Sequence, residues 1–192
     1  MLRKATYQDV QDAPSDMVAQ LVDGELYLMS RPAPPHVWAC GTLYTALNGE
    51  FGDFEDRPGG WVILDEPELR LGQDVLVPDI AGWRVENLPL LPATTWFEVV
   101  PEWVCEVLSP STRDFDLGLK RSIYARVGVT HMWIVDPIAR TLQAFELSGG
   151  KWISITTLEG MVAISIPPFE AFDIPLSRLW RGIDRLRAVG RK

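Results

Sequence analysis

The chain has 192 residues and a formal net charge of −8, and 47% of its residues are hydrophobic and 23% charged. This length and composition are typical of one globular domain, here residues 1–192, and exclude extensive disorder. The acidic charge disfavours broad electrostatic attraction to nucleic acid, because such binding depends mainly on Lys and Arg neutralising phosphates.

The sequence carries no sign of a membrane segment or a secretory signal. No apolar run is long enough to span a bilayer, and the opening MLRK leads into the polar stretch TYQDVQD. We therefore expect a cytoplasmic protein with no membrane partner. Cys40 and Cys105 lie in apolar segments without metal-type neighbours, which favours free thiols over a metal site.

The first third of the chain predicts a hairpin and a helix. MVAQLV and ELYLM flank Asp23-Gly24, a dipeptide that supplies the positive φ angles of a tight two-residue turn, and Glu25 begins the returning strand. After a proline-rich stretch, HVWACGTLYTALNGEF has apolar residues at helical spacing, with His36 on its first turn.

The next segment predicts successive strands. WVIL, ELRL and VLVPDIAGW read as an antiparallel meander, with Gly72-Gln73 as one of its turns. Residues 86–101 are interrupted by three prolines, which predicts a loop.

The stretch from Trp103 to Tyr124, WVCEVLSPSTRDFDLGLKRSIY, carries the strongest functional signal. It begins as an apolar strand that encloses one carboxylate, Glu106, and then turns at residues 109–111 into a helix. Lys120 and Tyr124 are four residues apart on that helix and share one face. If the helix folds back over its strand, the rise per residue of each element brings Lys120 abreast of Glu106.

The remaining chain predicts further strands and a closing helix. Gly128 is placed to end the preceding helix, and HMWIVD reads as a buried strand. RTLQAFEL and KWISITTL form a hairpin across residues 148–150, and PLSRLWRGIDRLRAV is an amphipathic helix that leads into a basic RK tail.

Asp79 is a second unexpected carboxylate, because it follows Pro78 inside an apolar strand. Proline cannot donate to a sheet ladder and marks a strand edge or bulge, where side chains are often re-aimed near sites. Two carboxylates about 4 Å apart repel by roughly 4 kcal/mol at an effective dielectric of 20 unless a proton or cation intervenes. A hard divalent ion such as Mg²⁺ resolves this conflict, and a nearby lysine can orient water or stabilise phosphate charge.

These residues resemble a known family. VPD at 77–79, the stretch WVCEVLSPSTRDFDLGLKRSIYARVGVTHMWIVDP at 103–137 and the DGELYLM hairpin followed by PxxPPH are similar to the Uma-two-type family of restriction-endonuclease-like proteins, within the PD-(D/E)XK nuclease superfamily. The resemblance covers about residues 20–147. It implies an α/β (α+β) fold with a restriction-endonuclease-like core, in which helices flank a central mixed sheet.

The resemblance also implies roles for particular residues. Asp79 and Glu106 would bind the metal, Mg²⁺ or Mn²⁺, and Lys120 would be the catalytic lysine. The weaker members of the site would be Glu25, His36, Glu68 and Tyr124. One position departs from the superfamily pattern, which places a lysine two residues after the glutamate, where this chain has Leu108. Lys120 would fill that vacancy from the helix.

Each candidate also has a purely structural interpretation. Glu106 and Lys120 would form a buried ion pair without any metal. Lys120 would pair with Asp116 one turn earlier, Tyr124 would be a core aromatic residue, and Asp79 would cap a turn. Glu25, Glu68 and His36 would be ordinary hairpin, strand and helix-start residues.

We therefore predict a metal-dependent endonuclease that hydrolyses phosphodiester bonds, with DNA as the expected substrate. A second hypothesis is a catalytically inactive module that keeps the nuclease fold and binds nucleic acid or a protein partner. A homodimer that shares a DNA surface is compatible with the eight tryptophans.

Overall fold

The computed structural model describes residues 3–53 and 59–189 of the chain. Its strands are β1 (Met17–Val22), β2 (Glu25–Ser30), β3 (Trp61–Asp65), β4 (Leu69–Leu71), β5 (Asp74–Leu76), β6 (Ile80–Arg84), β7 (Trp103–Val107), β8 (His131–Asp136), β9 (Thr141–Ser148), β10 (Lys151–Glu159), β11 (Ala163–Ile166) and β12 (Phe169–Pro175). Its helices are α1 (Tyr7–Gln11), α2 (Pro34–Phe51), α3 (Arg113–Phe115), α4 (Arg121–Val127) and α5 (Arg181–Val189). A π-helical turn, Asp116–Lys120, joins α3 to α4, and a 3₁₀ turn, Leu176–Trp180, precedes α5.

A six-stranded mixed sheet lies at the centre of the fold, in the order β10-β9-β8-β7-β6-β3. Strands β7 and β8 are parallel and place Glu106 opposite Ile134, whereas the other neighbours are antiparallel. Both middle strands are almost fully buried, as their continuous apolar runs require. The central mixed sheet predicted from the sequence is therefore confirmed.

Helices cover both faces of this sheet. On one face α2 packs Ala39, Leu43 and Leu47 into a core that contains Trp103 and Trp133. On the other face α4 packs Ile123 and Tyr124 against a second core, whose members include Val104, Met132 and Ile134. Because side chains alternate along a strand, Glu106 shares the α4 face with Val104.

The predicted meander over residues 61–84 is wrong in its strand pairing, whereas its strand segments and its turn at Gly72-Gln73 are confirmed. Strand β3 pairs with β6 in the central sheet, whereas β4 and β5 join the N-terminal hairpin in a four-stranded antiparallel sheet of order β2-β1-β5-β4. The run VLVPDIAGW breaks at residues 77–79, where Pro78 offers no N–H to a ladder, and its two halves enter different sheets. Asp79 consequently lies where the chain crosses from one sheet to the other.

The C-terminal part contains a hairpin that the sequence did not predict. Strands β11 and β12 pair with each other, and Phe169 of β12 contacts Trp61, Trp103 and Trp133 in the core. The predicted closing helix begins as the 3₁₀ turn and becomes α-helical only at Arg181. Its RK tail lies outside the described residues. No helix in the described ranges combines the length and apolarity that crossing a bilayer requires.

Candidate active site

Lys120 lies beside Glu106 in the interior, as the spacing of the strand and helix predicted. Its Nζ is 2.9 Å from Glu106 Oε2, 3.2 Å from Asp116 Oδ1 and 2.9 Å from the carbonyl oxygen of Val77. Glu106 has no exposed surface, and only 3% of Lys120 is exposed. Three oxygens therefore surround an ammonium that has three N–H donors.

The π-helical turn Asp116–Lys120 places Lys120 against Glu106 and Asp116 against Lys120. The sequence predicted a regular helix here, but the chain forms one π turn between α3 and α4. Asp116 and Lys120 are both buried and pair with each other. Single π turns within helices are frequent at functional sites, which makes this turn a feature of the candidate site.

Tyr124 completes the surroundings of Glu106. Its hydroxyl group donates a 2.7 Å hydrogen bond to Glu106 Oε1, while Lys120 donates to Oε2. Both oxygens of this buried carboxylate therefore have a donor, as burial of an acid demands.

Asp79 connects the end of β7 to the first turn of α2. Its Oδ2 accepts a 2.6 Å hydrogen bond from the backbone N–H of Val107, and its Oδ1 lies 3.0 Å from His36 Nε2. Val107 directly follows Glu106, so Asp79 is anchored to the same strand end as the buried cluster. About 16% of the Asp79 side chain is exposed, which leaves it more accessible than Glu106.

This cluster contains more acidic than basic side chains, and the pKa values of Glu106 and Lys120 are both raised. Burial, with help from Asp116 and Asp79, raises the pKa of Glu106 above its usual value, although Lys120 partly opposes the shift. Burial alone would lower the pKa of Lys120, but the charges of Glu106, Asp116 and Asp79 outweigh it and raise that pKa. Lys120 is therefore an ammonium at neutral pH, and the cluster favours additional positive charge.

The pKa of His36 is raised as well. Burial would lower it, but the hydrogen bond and charge of Asp79 outweigh burial. The shift favours the imidazolium form, which fixes the Asp79 carboxylate by a charge-assisted contact.

These side chains border one cleft between the two sheets. Asp79, His36, Asp116 and Lys120 contribute to its wall, whereas Glu106 lies behind Lys120. The other lining residues are Val18, Gln20, Met29, Ser30, Pro32, Glu66, Val77, Ser109 and Thr112.

Several polar residues of the cleft were not predicted as site members, among them Gln20, Asp116 and Glu66. Gln20 is a buried polar residue in an apolar strand, the same signal that identified Glu106, and its Oε1 accepts a hydrogen bond from Val77 N. Asp116 had been interpreted only as a helix residue paired with Lys120. Glu66 follows β3 in a loop, where no sequence pattern distinguishes it.

Glu25 and Glu68, two of the predicted secondary members, lie outside both the cleft and the cluster around Glu106. Glu25 accepts a hydrogen bond from Tyr27 on the hairpin. Glu68 accepts one from the Tyr7 hydroxyl group and another from Arg70, whose guanidinium group lies between the rings of Tyr7 and Trp96. Glu25 begins β2, whereas the residues of β2 that border the cleft are at its other end, and the contacts of Glu68 hold it beside α1.

The donors in the cleft fit a hard divalent cation in kind. Asp79 and Asp116 supply carboxylate oxygens, which Mg²⁺ and Mn²⁺ prefer, and Glu106 lies directly behind the cleft wall. Burial and the charges of Asp116 and Asp79 raise the pKa of Glu106, and a nearby cation would favour its carboxylate form. Within residues 3–53 and 59–189, no three His, Cys, Asp or Glu side chains are already arranged to hold a metal ion. Metal binding would therefore require some of the present hydrogen bonds to be exchanged.

The fold and the buried acid–lysine cluster define a nuclease-like α+β protein. The structure is similar to the crystal structure of a putative nuclease belonging to DUF820 from Anabaena variabilis, with a TM-score of 0.75 at 16% identity over 93% of this chain and 98% of that chain. The Uma2 family model, described as a putative restriction endonuclease, matches residues 5–177. The chain therefore belongs to the Uma2 family. No curated protein matches it.

Proposed function

We propose that this protein is a metal-dependent nuclease that hydrolyses phosphodiester bonds in DNA. The observation that carries the proposal is the placement of Asp79, Asp116 and Lys120 on one cleft, with Glu106 directly behind Lys120. Two comparisons support a nuclease: the family is described as a putative restriction endonuclease, and the fold is shared with a protein described as a putative nuclease.

Asp79 and Glu106 would hold Mg²⁺ or Mn²⁺, with Asp116 as an additional oxygen donor. A bound divalent ion of this kind supplies a more acidic water and neutralises phosphate charge. His36 would orient Asp79, because its Nε2 contacts Oδ1 while the backbone N–H of Val107 donates to Oδ2. Tyr124 would orient Glu106 in the same way.

Lys120 would act as a cation and not as a base. Three carboxylates hold its proton in place, so removal of a proton from water by Lys120 is disfavoured at neutral pH. An ammonium at the cleft wall would instead position the water and stabilise the negative charge that develops on the phosphate.

The test is a cleavage assay on plasmid and short DNA and RNA duplexes with Mg²⁺, Mn²⁺ or EDTA. We expect metal-dependent cleavage of DNA that falls at least about 100-fold in Asp79→Asn, Glu106→Gln and Lys120→Met. Glu25→Gln and Glu68→Gln are matched controls that remove a carboxylate outside the cleft and should retain activity.

A folding control accompanies this assay, because the buried substitutions can unfold the chain. Thermal melting should show that Asp79→Asn, the most accessible of the three, remains folded. Loss of cleavage in Glu68→Gln to the same degree, or metal-dependent cleavage that persists in Asp79→Asn, would contradict the proposed site. Absence of cleavage by the unaltered protein with either metal would contradict the activity itself.

A non-catalytic module with the nuclease fold is the second candidate. Both oxygens of Asp79 and both oxygens of Glu106 already have partners within the chain, and the Lys120 ammonium lies between two acids where a cation would be attracted. If Mg²⁺ and Mn²⁺ leave the melting temperature unchanged, and Asp79→Asn binds DNA as tightly as the unaltered protein, this candidate is favoured.

A further inference from the structure

The positive charge of the chain is concentrated at its C-terminal end. Residues 178–192 contain six of the 18 Lys and Arg residues and one of the 26 acidic residues, a net charge of +5, whereas residues 1–177 carry −13. Such a strong asymmetry within an acidic chain indicates a local surface for an anionic partner.

The 3₁₀ turn and the first residues of helix α5 bury their apolar side chains in the protein. Leu179, Trp180 and Ile183 are each at most 4% exposed. Gly182 contacts α2 so closely that a Cβ atom there would lie 2.4 Å from Trp38 Cγ. The apolar side chains of residues 176–183 are therefore already covered, and the outer side of this stretch is the part available to a partner.

The outer side carries Arg178, Arg181 and Arg185, which we call the arginine face. All three side chains are exposed. Within the described part of the chain, none of these three guanidinium groups forms an ion pair with a carboxylate. Asp184, the acidic residue of the same helix, is instead paired with Arg140 at 2.5 Å. The positive charge of the arginine face is therefore not neutralised by these described neighbours.

The arginine face lies close to the candidate active site. Trp38 Nε1 donates a 3.3 Å hydrogen bond to the carbonyl oxygen of Arg178, and Arg185 lies over the Trp38 ring at 5.6 Å. Trp38 is two residues after His36, which is about 3 Å along the axis of α2. His36 borders the cleft, and Trp38 lies on the opposite side of α2, so the arginine face is separated from the cleft by at least the diameter of one helix, about 10 Å.

We propose that the arginine face binds the phosphate backbone of a nucleic acid that runs across the cleft. Arg is suited to this task because its planar guanidinium group pairs with phosphate oxygens in bidentate fashion. A membrane surface is the less suitable anionic partner, because a helix that binds bilayers inserts its apolar side chains, and here Leu179, Trp180 and Ile183 are buried in the protein. The inference rests on the proposed nuclease function, since it names the surface that would hold its substrate.

The experiment measures binding separately from cleavage. Fluorescence anisotropy of a labelled DNA duplex of about 20 base pairs, in EDTA, gives the Kd at several salt concentrations for the full chain and for R181A/R185A. Each lost phosphate contact lowers the slope of log K against log salt by about 0.9, so the double variant should reduce the slope by about 1.8. We expect its Kd at about 100 mM salt to rise at least about tenfold.

K4A/K151A is the matched control, because it removes the same charge from two exposed lysines that lie outside both the cleft and α5. It should change Kd less than about threefold.

An RNA duplex of equal length shows whether the arginine face binds the phosphodiester backbone of RNA as well as that of DNA. Vesicles of phosphatidylserine and phosphatidylcholine test the membrane, and arginine-dependent binding to vesicles without binding to either duplex would overturn the proposal.

Failure of this inference is distinguishable from failure of the proposed function. Unchanged DNA affinity in R181A/R185A, together with metal-dependent cleavage by the unaltered protein, would overturn the arginine face and leave the nuclease intact. Arginine-dependent DNA binding without cleavage would support the arginine face and contradict the nuclease. Equal loss of affinity in K4A/K151A would show that only net charge matters and would also overturn the proposal.

Discussion

Glu106 is buried without any exposed surface, and its ionic partner Lys120 is buried with it. A charge in this position is stable only when its hydrogen bonds are complete, and Lys120 and Tyr124 provide them. An isolated pair of this kind adds little stability compared with well-packed apolar residues. The cluster is therefore better explained by the chemistry of the cleft than by the stability of the fold.

Lys120→Met should destabilise the protein by about 3–5 kcal/mol, because it leaves Glu106 and Asp116 buried without a cation. Urea unfolding measures the loss. The double variant E106Q/K120M removes the glutamate charge as well and should be less destabilised than Lys120→Met alone. A change below about 1 kcal/mol in Lys120→Met would contradict the role of the ammonium as a buried counter-charge.

Asp136 gives a pH-dependent prediction away from the cleft. Burial would raise its pKa, but hydrogen bonds from the backbone N–H of Ala139, from Arg113 and from the N–H of Ile138 together lower it. Ionised Asp136 therefore contributes its full stabilisation of the fold above the pKa of an aspartate in the unfolded chain, about 3.9. This contribution is lost as the pH falls through the lower pKa that Asp136 has in the folded protein.

Asp136→Asn should consequently lower the free energy of unfolding by about 1–2 kcal/mol near neutral pH. The difference from the unaltered protein should shrink below about pH 4, and urea unfolding between about pH 3 and pH 7 measures it. A difference that stays constant over this range would show that the charge of Asp136 contributes nothing.

At the scale of elements, the segment from α3 to α4 shows what local sequence specifies. Gly128 ends α4 in the left-handed conformation, with φ of 93°, as its position after the apolar helix predicted. The π turn within the same segment was not predicted, because residues 116–120 differ in no obvious way from a regular helix. The π turn packs Lys120 against Glu106, which lies on β7, and pairs Asp116 with Lys120.

Two glycines of this segment provide a matched test. Gly128→Ala should destabilise by about 1 kcal/mol, because a side chain is strained at a positive φ. Gly118→Ala lies in the π turn, where a Cβ atom would meet nothing within 4 Å, and should be neutral or stabilising by up to about 1 kcal/mol. Thermal melting compares the two, and equal effects would contradict this account of the helix end.

At the scale of the whole molecule, the cleft exists because two sheets meet at residues 77–79. The four-stranded sheet supplies Gln20, while the central sheet and its helices supply Asp79, Asp116 and Lys120. Contacts between distant parts of the chain maintain this arrangement, and among them is the docking of α5 on α2 through Gly182 and Trp38.

Gly182→Ala should destabilise the protein by about 1–3 kcal/mol, because a Cβ atom would overlap the first ring atoms of Trp38. Gly41→Ala is the control on α2, since a Cβ atom there has nothing within 4 Å and helix propensity favours alanine. Denaturant unfolding should show opposite signs for the two substitutions. A neutral Gly182→Ala would mean that α5 can shift away from α2 without cost.

The sequence by itself determined the features that lie within one strand and its following helix. A continuous apolar run identified β7 and its single acid, and the rise per residue predicted that Lys120 would reach Glu106, because those distances depend only on local geometry. Only the tertiary structure decided which other side chains join them. It placed His36 on Asp79 and brought Gln20 and Glu66 to the cleft, while Glu25 and Glu68 were directed elsewhere, because sheet pairing depends on long-range packing that spacing along the chain does not specify.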